Sequence, residues 1–318
     1  MRILRHMVQW VRILRNGIKE KWFGISDFSK DDLEYKKWVK ENALTDADIE
    51  AKKKEIEFYS FKPTISVVMP VYNIERKWLE KAIESVFNQV YEKWELCIAD
   101  DASPKPHIKE ILNRWQNRDE RVNVKFLEKN LGISGASNEA LSLATGLYVA
   151  LMDHDDELSR DSLYEVVRLL NKHPEAGIIY TDEDKLTANG QRLRPVCKPD
   201  WDPELFLTYN YLCHLVVCQK DLISKVGGFR KGFEGSQDYD LLLRLTEWTD
   251  KIFHIPKVLY HWRMIPGSAA FVVDAKKQAF EKSKQALQDA MERRGIRAAI
   301  SDGETIGTFK VKEIKNPQ

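Results

Sequence analysis

Pro63-Thr64-Ile65-Ser66-Val67-Val68-Met69-Pro70-Val71-Tyr72-Asn73 is the stretch at which the chain changes texture. Upstream of it the sequence is charged. From here on, short β-branched runs alternate with helically spaced apolar residues, the pattern of βα units around a mainly parallel sheet. Residues 65–71 read as a first strand and 78–89 as a helix. Strands over 94–99, 122–127 and 147–152 follow, with helices beginning near Pro106 and over 133–144 between them. The fourth strand runs directly into Asp153-His154-Asp155-Asp156. Further on, 162–171 reads as a helix and 177–181 as a strand, while Pro195, Pro199 and Pro203 make 192–211 look irregular. Residues 211–218 suit a strand, 236–248 a helix, 252–263 one or two closing strands, and 276–293 a helix covering the sheet. The expected fold class is α/β.

Working backwards, residues 25–62 are rich in Lys, Asp and Glu, and Thr45-Asp46-Ala47-Asp48 offers a capping-box helix start. Lys52-Lys53-Lys54 reads as a solvated face. Residues 1–24 differ again: Ile3, Leu4, Met7, Val11, Leu14, Ile18 and Trp22 recur at helical spacing among six Lys/Arg, against Glu20 alone. Such a helix suits an anionic membrane surface, or docking on its own domain or on a second copy of the chain. The expected organisation is a basic amphipathic and charged helical extension over 1–62, then one catalytic domain with a C-terminal helix over 63–318.

Charges nearly cancel, at +1 overall with 31% charged residues, which argues against a nucleic-acid-binding protein. Cys97, Cys197, Cys213 and Cys218 form no CxxC pair and suit buried reduced thiols, with Cys213-His214 as a residual metal candidate. Together with the lack of a bilayer-spanning apolar window, this leads us to expect cytoplasmic machinery, peripheral to the inner face of the membrane if residues 1–24 bind lipid.

In open α/β sheets, ligands gather at the carboxyl ends of the strands. Pro70-Val71-Tyr72-Asn73, Asp100-Asp101-Ala102-Ser103 and Asp153-His154-Asp155-Asp156 close strands one, two and four, so three polar loops share a rim. Three carboxylates in four residues repel one another unless a cation compensates. Hard divalent ions take carboxylate oxygens and bridge to phosphates, so Mg²⁺ or Mn²⁺ carrying a diphosphate is the expected occupant. An acidic turn ahead of a helix starting near Ser159 is the alternative.

Taken in order, the first strand, residues 99–103, 130–138 and 151–156 resemble the donor half of the family 2 glycosyltransferases, which have the GT-A fold. Gly228-Phe229, Gln237-Asp238-Tyr239-Asp240 and Leu259-Tyr260-His261-Trp262-Arg263 resemble the acceptor half. The resemblance covers about residues 63–268 and does not reach 1–62. It implies that Tyr72 lies against the donor's base, that Asp101 accepts a hydrogen bond from it, and that Pro70 and Asp100 are neighbouring contacts. It further implies Asp153 at the ribose, Asp155 on the metal and His261 completing the metal or diphosphate site. Asp238 would be the base in a single, inverting displacement, its other reading being a helix-start carboxylate. Asp182 approaches the donor sugar, or belongs to a polar turn partnered by Lys185. Trp201 and Trp262 either pack or face a sugar ring.

Many relatives carry an arginine where Ser137 stands, so that charge either comes from elsewhere, with Arg263 and Lys129 as candidates, or is absent. The implied activity is a metal-dependent transfer of sugar from a UDP- or dTDP-linked donor to a saccharide or lipid-linked saccharide of a bacterial surface polysaccharide. A non-catalytic binding subunit and a haloacid-dehalogenase-like phosphatase are the competing readings. The phosphatase is disfavoured because three strands precede the acidic cluster.

Overall fold

The computed structural model describes residues 30–265, 273–305 and 307–314, so the basic segment 1–24 lies outside the described residues. Strands β1 (Ile65–Val71), β2 (Trp94–Asp100), β3 (Val122–Phe126) and β4 (Tyr148–Leu151) pair in parallel in the order β3-β2-β1-β4. Antiparallel β8 (Val216–Gln219) joins β4 to β6 (Ile178–Thr187). The long β9 (Ile252–Met264) runs parallel to β6 and carries the two-residue β5 (Glu157–Leu158) at the far edge, while β7 (Arg192–Val196) pairs with β6 off this path. Six of these nine strands share one direction, giving the mainly parallel sheet that the alternating texture implies.

Both faces are covered, as continuous apolar strands require. Val67, Met69 and Val71 of β1, with Leu96 and Ile98 of β2, point into one core with Leu79, Ile83 and Val86 of the helix Arg76–Phe87. Val68, Cys97 and Ala99 point into the other, beneath the helices Gly132–Leu141, Gln237–Leu245 and Val273–Arg293. All four cysteines are free, and burial pushes the Cys97 and Cys218 thiols up to about 12, so they pack as small apolar groups. No described helix is long and apolar enough to cross a membrane.

The extension contributes α1 (Lys30–Glu41) and α2 (Asp46–Glu57). Thr45 and Asp48 form the capping box that their spacing predicts: each side chain bonds the other's backbone N–H. In the lysine run Lys53 and Lys54 are exposed as expected, and Lys52 differs. Lys52 is drawn inward to Glu165 (3.0 Å) and Asp161 (3.2 Å), and its ammonium lies over the Tyr164 ring.

Three further differences concern strands. The acidic triplet 182–184 is not a turn, because β6 continues to Thr187 and buries all three carboxylates against partners distant in sequence. The proline-rich 192–211 segment contains β7 and a helical turn at Pro203–Phe206. Beyond the long C-terminal helix, β10 (Ala298–Asp302) and β11 (Phe309–Glu313) form a hairpin that has no counterpart in the sequence reading.

Asn138 links the two halves of the domain. Its side-chain oxygen accepts from Phe229 N–H and its amide donates to Phe229 C=O, both at 2.8 Å. Gly228 beside it has φ 69°, and a Cβ there would stand 2.5 Å from the Asn138 oxygen, so only glycine permits this close approach.

Candidate active site

Parallel register brings the ends of β1, β2 and β4 to one rim: Val71 is opposite Asp100, and Val68 opposite Leu151. Asn73 and Ala102 turn the chain there at φ 51° and 56°. Tyr72 is 46% exposed, its ring open to a ligand. Asp100 accepts from Ser103 N–H (3.2 Å). Asp101, almost fully buried, accepts from Leu131 N–H (2.6 Å), so it also fastens the loop ahead of the 132–141 helix. The Pro70 carbonyl accepts from His154 Nδ1 at 3.0 Å, which makes His154 a strut between the first and third loops.

The acidic loop is held from below by β9. Asp156 is fully buried, accepting from Tyr260 O–H (2.6 Å) and Arg263 N–H (2.7 Å). Arg263 is also fully buried; its Nε donates to the Asp155 carbonyl (2.7 Å), its Nη2 pairs with Glu157, and its guanidinium lies over Trp78. That arginine therefore holds the loop, and Lys129 is exposed. The Arg263 bond to Asp155 goes to the main chain, and among the described residues no side chain donates to the Asp155 carboxylate, so it stays available. Burial raises Asp155, with His154 opposing and Asp153 adding; burial, Asp155 and Asp153 push Asp156 well up. A divalent cation would relieve this repulsion, and the donor set of carboxylates with imidazoles nearby suits Mg²⁺ or Mn²⁺.

Of the two histidines on this side, His214 joins the acidic set and His261 is paired with Asp184. His214 Nε2 lies 3.7 Å from Asp153, its ring stacks on Tyr260 at 4.7 Å, and Asp153, Asp156 and His214 offer ligand atoms within 4.8 Å of one another. His261 sits on β9 opposite Glu157 of β5, and its Nδ1 meets Asp184 at 2.7 Å. Its Nε2 makes no hydrogen bond among the described residues.

Asp182, by contrast, is engaged within the fold: one oxygen accepts from both Lys198 N–H (2.9 Å) and His254 Nε2 (2.8 Å). Trp201 packs against Phe206 and Tyr211, while Trp262 meets the edge of His214 and carries Lys185 Nζ 3.4 Å from its ring centre.

Asp238 opens the Gln237–Leu245 helix and accepts from Asn210 Nδ2 at 2.8 Å. Burial raises its carboxyl, His214 and the Tyr239 N–H oppose, and the charge of Asp153 adds to the rise. Asn210 and His214 are the residues least visible in the sequence. His214 carried a signal only as half of the Cys213-His214 pair, and Asn210 carried none.

Residues 66–229 match the sequence model of the family described as Glycosyl transferase family 2. Uncharacterized protein y4gI of Sinorhizobium fredii is 48% identical over 233 residues, covering 73% of this chain and 26% of that protein. O-antigen biosynthesis protein RfbC of Myxococcus xanthus is 35% identical over 255 residues, covering 80% of this chain and 20% of that protein. The chain therefore spans about a quarter of the length of the first of these relatives and a fifth of the second. Among solved structures, S. aureus TarS 1-349 in complex with UDP-GlcNAc aligns at TM-score 0.57 and 17% identity, over 73% of this chain and 72% of that one. The mannosyltransferase PcManGT from Pyrobaculum calidifontis, in complex with GDP-Man and Mn²⁺, aligns at TM-score 0.56 and 19% identity, over 81% and 72%. These likenesses establish the GT-A architecture.

Proposed function

Since this chain belongs to glycosyl transferase family 2 and is a glycosyltransferase, we propose that it moves one sugar from a nucleoside-diphosphate donor to a hydroxyl of a growing bacterial surface polysaccharide, with inversion. The observation that carries this reading is the grouping of Asp153, Asp156 and His214 at the donor rim, their ligand atoms within 4.8 Å of one another, in a fold whose acceptor-side helix opens on Asp238. A base within reach of the acidic loop is what a single displacement needs. Asp238 takes the proton of the acceptor hydroxyl as its oxygen bonds to the anomeric carbon, and the bond from that carbon to the diphosphate breaks on the opposite face.

Tyr72, Pro70, Asp100 and Asp101 form the nucleotide end of the site, and Asp153 the ribose contact. Asp182 would reach the donor sugar only with an oxygen not used by Lys198 and His254. Asp155 and His261 are assigned to the divalent ion, because among the described residues the Asp155 carboxylate has no competing side chain and His261 Nε2 has no hydrogen bond. Asp156, whose oxygens already accept from Tyr260 and Arg263, holds the loop. When bound, Mg²⁺ or Mn²⁺ would neutralise charge developing on the departing diphosphate.

Donors of the UDP or dTDP type and lipid-linked saccharide acceptors fit this reading. The two structural neighbours were solved in complex with UDP-GlcNAc and with GDP-Man, and the name of RfbC refers to O-antigen. The phosphatase alternative is not favoured, given the family. A transfer assay with a panel of nucleotide sugars and lipid extracts, with and without Mn²⁺, tests the proposal. Metal-dependent product from at least one donor is expected, and no product or nucleotide binding with any donor would sink it. The basic segment 1–24 would bring the enzyme to the inner face of the membrane. Removing it should abolish co-sedimentation with anionic vesicles, whereas unchanged sedimentation would exclude this role and favour docking on a second copy.

A further inference from the structure

Helix α1 reaches the site through one hydroxyl. Tyr35 is only 4% exposed although it lies on a two-helix extension outside the region of the family match. Its O–H donates to Asp184 Oδ2 at 2.7 Å and its oxygen accepts from Arg192 Nη2 at 3.1 Å. Arg192 Nε donates to the same Asp184 oxygen at 2.6 Å. The other Asp184 oxygen, Oδ1, accepts from His261 Nδ1 at 2.7 Å. Tyr35 also stacks on Trp38, with ring centres 5.6 Å apart and planes 12° from parallel. Burial and the Asp184 charge raise the Tyr35 hydroxyl, which keeps its proton for this bond.

A carboxylate held only by an imidazole can rotate about its Cβ–Cγ bond. With two donors on Oδ2, its plane is fixed and Oδ1 is aimed at Nδ1. An imidazole that donates from Nδ1 presents its Nε2 lone pair, the form in which histidine ligates a cation, and such outer partners set both ring orientation and basicity. We infer that Tyr35 is a positioning residue for sugar transfer, supplied by the N-terminal extension, which through Asp184 holds His261 with Nε2 ready for the divalent ion. This rests on the assignment of His261 to that ion.

Mn²⁺ affinity, followed by the electron paramagnetic resonance of the free ion with UDP or dTDP present, separates the two. The full chain is compared as wild type, Tyr35→Phe, His261→Ala and the double variant. His261→Ala is expected to weaken binding about tenfold or more. Tyr35→Phe keeps the ring and its stacking and loses one hydrogen bond, so it should weaken binding about threefold to tenfold. In the His261→Ala background it should change nothing further. Arg192→Gln removes the other donors to Asp184 and Tyr35; it should act in the same sense and serves if Tyr35→Phe does not fold. Unchanged affinity in His261→Ala defeats the metal assignment itself. A weakened His261→Ala beside an unaffected Tyr35→Phe, or a Tyr35→Phe effect of equal size in both backgrounds, overturns the positioning role.

Discussion

Asp238→Asn is expected to slow sugar transfer by about a hundredfold to ten-thousandfold, the usual contribution of a positioned general base. Donor binding should be retained, because the substitution leaves the nucleotide rim and the acidic loop intact. The variant should also melt no lower than the wild type. Burial holds the Asp238 carboxyl above its ordinary value, so in its ionised form it opposes folding at neutral pH, and a neutral amide relieves that. The same shift places the acid limb of kcat/KM above the ordinary aspartate value of about 3.9. Asn210→Ala should move that limb further up, since the Asn210 amide stabilises the ionised carboxylate. Transfer by Asp238→Asn at the wild-type rate would show that the proton goes elsewhere.

Lys198→Ala is expected to lower stability by about 3–5 kcal/mol, the cost of breaking a buried ion pair from one side. The Lys198 ammonium is almost fully buried, 3.1 Å from Glu183, and donates to the Leu212 (2.6 Å) and His214 carbonyls. Glu183 also accepts from His214 N–H at 3.1 Å. Burial alone would raise Glu183, but Lys198, Lys185 and His214 bring it down to about 2. A depressed carboxyl stabilises the fold fully above its unfolded value of about 4.3, and that stability is lost as pH falls towards 2. Urea unfolding of the variant should show a lower midpoint at pH 7 and a weaker acid dependence than wild type. A midpoint equal to that of wild type at pH 7 would mean that the pair contributes nothing net.

The sequence was legible where burial is continuous and local. Strands β1, β2 and β4 are largely apolar on both faces and announce themselves, while β3, at the edge, alternates Val122 and Val124 with Asn123 and Lys125; the rim follows because parallel strands end in loops on the same side. It was illegible where charges are satisfied from a distance. Asp182, Glu183 and Asp184 look like a turn until Lys198, His254, Arg192 and His261 are seen to pair with them inside a strand. Lys52 looks solvated until Glu165 and Asp161 are opposite. β5, β7 and the β10–β11 hairpin are short or polar edge elements, whose residues carry no two-sided apolar signal. Within the site, the acidic loop and Asp238 stood out as motifs. The role of His214 depends on its stacking with Tyr260 and its distance to Asp153, which no spacing along the chain encodes.

The Asn138 carboxamide holds both backbone groups of Phe229, as a neighbouring strand would. This constrains any exchange of halves between related enzymes. A chimaera joined between residues 138 and 229 inherits the clamp from one parent and its recipient backbone from the other. Such a hybrid should keep its acceptor side in register only if one parent brings an asparagine and the other a glycine at the two matching positions. Shuffling of acceptor specificity, in evolution or in the laboratory, would therefore favour crossovers that carry this pair together.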